Sequence, residues 1–322
     1  MARPAKPNVG VIGLGIIGSR VAANLRKAGN QVWVWNRSPR PEPNFLSSPA
    51  EVAESAKVIQ IFVSDGPALL EVVTAMAPAL GPEHIVVNHS TVAPPETIEA
   101  ARIVEGRHAK YLDAPFTGSR DVAAAGQLVF YIGGASDVLE KVRPMLEVNA
   151  RAILPIGEIG QAAALKIAMN VIAAVSVSSY AEALSLLHKS GIPLEKLGEV
   201  FPTHAAYCPL VDLKVPGMIT DDFEPRFSLK HMFKDVQIAL AMAADFGVDL
   251  PASAAFAGAA MSGLQNGWGD LDFSVVARHY GYPNRENTLP AGLFNNESAG
   301  GGVPAPAETK EKKKIFPLFG SK

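Results

Sequence analysis

Three glycines constrain this chain most. Gly13, Gly15 and Gly18 form the spacing G-x-G-x-x-G between a short apolar run at 9–12 and a helical pattern at 17–28. In that setting each glycine has a separate task. Gly13 permits a tight turn, Gly15 lets a phosphate approach the backbone, and Gly18 lets the helix pack close to the strand. The helix start, from Ile16 and Ile17 to Gly18, then offers backbone N–H groups and a positive dipole end to an anion. The spacing alone is weak; the bland alternative is a glycine-rich turn with no ligand. A strand before it, a helix after it and a second strand ending at Trp35 supply the context the motif needs.

The rest of the chain extends that pattern. Apolar runs at 9–12, 31–35, 58–63, 85–88, 110–114, 128–132 and 152–154 alternate with helical patterns at 17–28, 50–55, 68–76, 95–104 and 137–146. Such alternation predicts βαβ units and a mainly parallel sheet. From Gln161 to Lys189 the sequence predicts one long, proline-free helix, apolar around much of its circumference and therefore buried. Further helical patterns follow at 194–201, 229–246, 251–266 and 273–280, with no convincing strand. The expected class is α/β: a Rossmann dinucleotide-binding domain (1–160), then an all-helical domain (161–285) joined to it by the long helix. The remainder, 286–322, is rich in Gly, Pro, Ala and Lys and reads as a disordered tail. Its basic, apolar-tipped end is a solvated tail or a docking peptide for a partner.

Composition narrows the function classes. With 322 residues, 48% hydrophobic and 19% charged, the chain suits about two globular domains. Its 29 basic and 31 acidic residues give a formal charge of −2 and no overall nucleic-acid footprint. One cysteine, Cys208, excludes an intrachain disulfide and a multi-thiolate metal site, and fits a reducing, cytoplasmic setting. The start leaves no room for a signal peptide, and no run reads as a membrane span. The seven histidines lack metal-ligand spacing, so no metal is expected.

The end of the second strand bears on the cofactor. NAD enzymes place an acidic residue there for the ribose 2′-hydroxyl; this chain has Asn36-Arg37-Ser38. Asn36 removes the repulsion of a 2′-phosphate, Arg37 offers a guanidinium to bind it, and Ser38 adds a hydroxyl. NADPH is the expected cofactor. The alternative is an ordinary turn with an exposed arginine.

Four more motifs give the chain a specific resemblance, over about 9–281. They are Asn88-His-Ser-Thr-Val92, Asp113-Ala-Pro-Phe-Thr-Gly-Ser119, Gly157-x-x-Gly160 followed by Lys166 and Asn170, and the segment FSLKHMFKD at 227–235. With these the sequence resembles the β-hydroxyacid dehydrogenase family, which includes 3-hydroxyisobutyrate dehydrogenases and glyoxylate/succinic semialdehyde reductases.

The resemblance implies roles. Lys166 and Asn170 become the catalytic pair, and their i, i+4 spacing puts them on one helix face. Reduction of an aldehyde leaves negative charge on oxygen, which an ammonium can stabilise and protonate; without the resemblance, Lys166 also reads as a lysine reaching to solvent. Thr117, Gly118 and Ser119 are expected to receive a substrate carboxylate, an anion site of backbone and hydroxyl donors. The family often has Ser-Gly-Gly there, so Thr-Gly-Ser-Arg leaves substrate identity open, with Arg120 read as an exposed loop residue rather than a second carboxylate contact. Ser90 is expected to face the substrate and Thr91 the nicotinamide; both also suit a capped helix start. Lys234 is expected to touch the nicotinamide side of the cofactor, or else to be solvated. Asp65, just past the third strand, lies where it could line the cofactor groove.

The expected function is an NADPH-dependent reductase of small aldehyde acids, as a homodimer or homotetramer associating through the helical domain. A 3-hydroxyisobutyrate-type oxidation is the nearest rival. A 6-phosphogluconate-type enzyme is disfavoured by Met169 before Asn170, where that relative has histidine. An imine reductase is disfavoured by Lys166. A different class, a non-catalytic NADPH-binding scaffold or sensor, is opposed by the intact Lys166–Asn170 pair.

Overall fold

Strand β1 (Val9–Ile12) is buried at all four positions, as a parallel strand covered on both faces must be. The computed structural model describes residues 8–193 and 195–281, so the expected tail at 286–322 lies outside the described residues. Helix α1 (Gly18–Lys27) carries the chain from β1 to β2 (Val32–Trp35), which pairs in parallel with β1. Helix α2 (Pro49–Ser55) then leads across to β3 (Val58–Ile61), on the other side of β1. The sheet reverses its order of growth at that point, and the crevice between the carboxyl ends of β1 and β3 is where such sheets bind ligands.

Helix α3 (Gly66–Met76), strand β4 (Ile85–Asn88), helix α4 (Pro94–Glu105) and strand β5 (Lys110–Asp113) continue the parallel pattern. Local sequence sets the helix starts. Ser48 and Asp65 cap α2 and α3 by accepting the Glu51 and Ala68 N–H groups, and proline follows each cap within two residues. After β5 the direction changes. A short strand β6 (Phe116–Thr117), helix α5 (Arg120–Ala124) and strand β7 (Leu128–Gly133) form an antiparallel excursion. Helix α6 (Ser136–Leu146) then brings in β8 (Ala150–Gly157), parallel to β7.

Helix α7 (Gln161–Lys189) has the bounds the sequence predicts. Its first turns bury Ala162, Ala163 and Ile167, and the helix touches β7, β8 and α4. Farther along, Ala174, Val177, Ala181 and Leu184 join a second core with Met218, Val236 and Phe256. By length and composition alone α7 could cross a membrane, which the sequence reading did not allow for. In this fold it is the core helix shared by the two halves.

The helical half continues with α8 (Glu195–Val200), α9 (Pro209–Thr220), α10 (Leu229–Phe246), α11 (Pro251–Gln265) and a 3₁₀ helix (Phe273–Tyr280). Helix α9 is absent from the sequence reading: Pro216 inside it, followed by Gly217, hides the period. Among the described residues the helical half has only an isolated bridge, Ser228 to Asp272, and no strand. The architecture is therefore a Rossmann-type sheet domain followed by a helical domain, as expected.

Candidate active site

The loops at the carboxyl ends of β1 to β5 hold most of the residues singled out in the sequence. The glycine turn has a geometry only glycine allows. Gly13 has φ 92°, and a Cβ there would stand 2.0 Å from the Phe62 carbonyl oxygen after β3. At Gly15 a Cβ would meet nothing within 4 Å, so the space over this glycine is open. Ile16 is 56% exposed beside it, and Ile17 starts α1 without a side-chain cap. An open backbone turn at an uncapped helix start fits a pyrophosphate.

Asn36 holds two loops together. Its Oδ1 accepts from Leu14 N at 2.9 Å and its Nδ2 donates to the Ser38 carbonyl at 2.8 Å. The side chain thus ties the glycine turn to the loop after β2, leaving Arg37 and Ser38 exposed on the rim. Across the crevice Asp65 caps α3. Burial alone would raise its carboxyl, but the Ser64 hydroxyl, the Ala68 N–H and the charges of Lys234 and Arg37 hold it below the usual range. Asp65 therefore feels a cation from each half.

After β4, Ser90 is buried. Its Oγ accepts from Val63 N at 2.9 Å and its own N–H donates to Asn88 Oδ1 at 3.0 Å, so it locks the β3 and β4 loops together. The carbonyl of Thr91 accepts the Lys234 ammonium at 2.5 Å, across from the helical half. His89, one residue earlier, is stacked on Phe62 at 4.5 Å, with Nδ1 2.7 Å from the Ala114 carbonyl oxygen and Nε2 beside the Gln60 amide. Burial pushes its pKa down to about 4 against the pull of the Ala114 carbonyl, so the ring is neutral.

After β5, Thr117 ends β6 and Gly118 takes φ 142°, where a Cβ would meet Leu128 at 2.7 Å. Ser119 caps α5, its Oγ accepting from Val122 N at 3.5 Å. Arg120 is exposed and pairs with Asp121 and, from the helical half, Glu224.

The helical half brings a connected polar chain to this edge. Lys166 Nζ donates to Asn170 Oδ1 at 3.0 Å, and Asn170 Nδ2 donates to Asp235 Oδ2 at 2.6 Å. Lys234 Nζ stands 2.8 Å from Asp235 Oδ1. Removal from water pushes the Lys166 ammonium below the ordinary lysine range; Asp235 opposes this and Lys234 reinforces it. The structure thus brings Lys166, Asn170 and Lys234 together, and Lys234 reaches the Thr91 loop. Asp235, at the centre of the chain, shows in the sequence only as the last residue of the 227–235 segment. Its partner Asn170 is 65 residues away, which no spacing rule detects.

The site can be compared with known proteins. Residues 8–157 match the model for the NAD binding domain of 6-phosphogluconate dehydrogenase. Residues 160–280 match the model for the NAD-binding region of NADP-dependent 3-hydroxyisobutyrate dehydrogenase. Glyoxylate/succinic semialdehyde reductase 2, chloroplastic, of Arabidopsis thaliana is 32% identical over 281 residues, 84% of this chain and 78% of that protein. The chain belongs to the β-hydroxyacid dehydrogenase family. Another relative in it, glyoxylate/succinic semialdehyde reductase 1 of the same plant, is 31% identical and is covered over 96% of its length. Among solved structures, Mycobacterium tuberculosis 3-hydroxyisobutyrate dehydrogenase with L-serine superposes with a TM-score of 0.78 at 27% identity, over 85% of this chain and 98% of that one. As a β-hydroxyacid dehydrogenase family member, the chain is a nicotinamide-dependent oxidoreductase of hydroxyl or aldehyde groups on small molecules.

Proposed function

We propose that this protein reduces small aldehyde acids of the glyoxylate or succinic semialdehyde type, using NADPH and Lys166 as proton donor. The observation that carries this reading is the chain Lys166–Asn170–Asp235–Lys234, joined to the Thr91 loop at the carboxyl edge of the sheet. The open Gly15 turn and the uncapped start of α1 suit the pyrophosphate, while exposed Arg37 and Ser38 suit a 2′-phosphate. When bound, NADPH would supply a hydride for the aldehyde carbon. The C=O π electrons move to oxygen, and the Lys166 ammonium stabilises that charge and delivers its proton, giving the alcohol and a neutral amine. Asn170 Oδ1 accepts from that ammonium and orients it. The Thr117–Ser119 loop supplies donors for the substrate carboxylate.

The two Arabidopsis relatives, both reductases by name, support the aldehyde direction over oxidation of 3-hydroxyisobutyrate. The partly exposed apolar side chains Met169, Ile172 and Leu186 along α7 support a homodimer or homotetramer through this helix. The free thiol of Cys208 suits a reducing compartment such as the cytoplasm.

Consumption of NADPH or NADH with glyoxylate, succinic semialdehyde, methylmalonate semialdehyde and a cyclic imine, for the wild-type chain and Lys166→Ala, tests the reading. Turnover of an aldehyde acid that needs Lys166 is expected. No turnover of any of them favours a non-catalytic NADPH-binding scaffold, and turnover that survives Lys166→Ala removes the lysine from the mechanism.

A further inference from the structure

Asp113 ends β5 with its side chain fully buried. Its Oδ2 accepts two backbone N–H groups from the start of α7, Gly160 at 3.2 Å and Ala163 at 2.9 Å. Helix α7 is therefore capped from the sheet and not from its own flank. Its N-cap residue is Gly160, at φ 91°, where a Cβ would stand 3.2 Å from Ile98. A serine or aspartate at that place would be strained and crowded, so the cap has to come from elsewhere.

The other oxygen, Oδ1, is buried without a hydrogen-bond partner and close to Thr97. Thr97 Oγ1 is 2.9 Å from the Tyr111 hydroxyl and 3.4 Å from Asn88 Nδ2. Asn88 in turn holds the Ser90 N–H. One buried polar cluster therefore reaches both the Ser90–Thr91 loop and the first turn of the helix carrying Lys166. A buried carboxylate is costly, and two N–H groups with one orphaned oxygen do not make it cheap.

We propose that Asp113 is a positioning residue: its carboxylate fixes the start of α7 to the sheet and so sets where Lys166 stands relative to the Ser90–Thr91 loop. The inference rests on the reading of Lys166 as the proton donor. Burial pushes the Asp113 carboxyl up to about 6, although the Ala163 and Gly160 N–H groups pull it down, so the site carries the cost of its charge near neutral pH. Because α7 is continuous from Gln161 to Lys189, a shift of its first turn moves Lys166 with it.

The test uses the full chain with succinic semialdehyde and NADPH, and compares Asp113→Ala with Asp113→Asn. Asp113→Ala is expected to lower kcat by about 10–100-fold, the scale of a misplacement near 1 Å, with KM for NADPH nearly unchanged. Amide exchange at 160–166 should rise in the same variant. Asp113→Asn keeps an acceptor for both N–H groups and gives Thr97 Oγ1 a donor, so it should restore most of kcat and the exchange protection. Should Asp113→Ala not fold, Asp113→Ser takes its place, since its shorter hydroxyl cannot span to both N–H groups. Wild-type kcat and exchange in the truncated variant, or an Asp113→Asn as impaired as Asp113→Ala, overturns the proposal. A KM for NADPH that rises as kcat falls also overturns it, because that marks general loss of structure. Exchange at 160–166 is read without turnover, so failure of the Lys166 reading, seen in Lys166→Ala, is separable from failure of this one.

Discussion

The Asn170 amide lies 2.6 Å from Asp235 Oδ2, and this bond joins the helix that carries Lys166 to the helix that carries Lys234. Asp235 is thus the anionic centre of an otherwise cationic chain. It raises the Lys166 pKa, against the larger effect of burial and the repulsion of Lys234.

The first prediction concerns pH. Reduction needs the ammonium form of Lys166, so turnover is present below its folded-state pKa and is lost as pH rises through it. Asp235→Asn removes the one influence that raises that pKa. The alkaline limb of kcat should move to lower pH, with a deeper loss at pH 9 than at pH 7. A pH–rate profile with an unmoved alkaline limb would show that Asp235 does not act through Lys166.

Cofactor choice is tested at the rim. Arg37 is exposed and directly follows Asn36, which is spent on Leu14 and Ser38, so Arg37, ahead of the exposed Arg40 farther along, is the cation of this loop nearest the end of β2. Arg37→Ala should raise KM for NADPH by about 10–100-fold, the size of a lost charge-assisted hydrogen bond, with little change for NADH. Equal effects on both cofactors would move the 2′-phosphate contact elsewhere.

Stability offers a third test at a buried ion pair of the helical half. Lys214 Nζ stands 2.8 Å from both oxygens of Asp272, with both side chains buried and the Phe273 ring 4.3 Å from the ammonium. Asp272 also accepts the N–H groups of Arg226, Phe227 and Ser274. Lys214→Ala leaves a buried carboxylate without its cation and should cost about 3–5 kcal/mol. Urea unfolding measures this; a loss near zero would mean that water or a neighbouring group takes the place of the ammonium.

Asp113 makes stability itself depend on pH. Its folded-state pKa of about 6 lies above the ordinary 3.8, so its contribution to stability is fully present below the lower value and is lost as pH rises through the upper one. Asp113→Asn should therefore gain stability relative to wild type at pH 7.5, by about 2–3 kcal/mol at most, and show no gain at pH 4. Thermal unfolding at the two pH values gives the comparison, and an equal difference at both would exclude a titrating Asp113.

Association is tested on α7. Ile172 is 58% and Leu186 69% exposed, two apolar side chains four turns apart along one helix. Ile172→Glu with Leu186→Glu should lower the mass measured by light scattering to that of a single chain. An unchanged mass would place the interface on another surface.

Much of this fold is legible in the sequence because its elements announce themselves. The limits of α7 and α10 follow from unbroken helical period, and Gly247 in the left-handed region ends α10 where a glycine stop is expected. Helix α9 escapes because Pro209, Pro216 and Gly217 all read as breakers, although Pro209 sits in the first turn where proline is tolerated. Strand β8 runs from Ala150 to Gly157, longer than the apolar 152–154, because pairing with β7 and not hydrophobicity sets its length. At the site, the motif residues lie on loops at one edge of the sheet and on the facing helices, but their partners do not show in a linear sequence. Asn36 is used by Leu14, Ser90 by Val63, and the cap of α7 is supplied from Asp113, 47 residues before Gly160.

Helix α7 has a mechanical consequence. At 29 residues it spans about 44 Å, and it contains neither glycine nor proline to bend it. It therefore behaves as a spar fixed at one end in each half. Any swing of the helical half against the sheet must pivot at its root, where Gly157 and Gly160 hold φ 158° and 91°. Lys166 sits barely two turns from that pivot. A rotation about that root would carry Leu186 through a wide arc and the lysine through a small one, so the reacting end of the lever is the part least displaced by it.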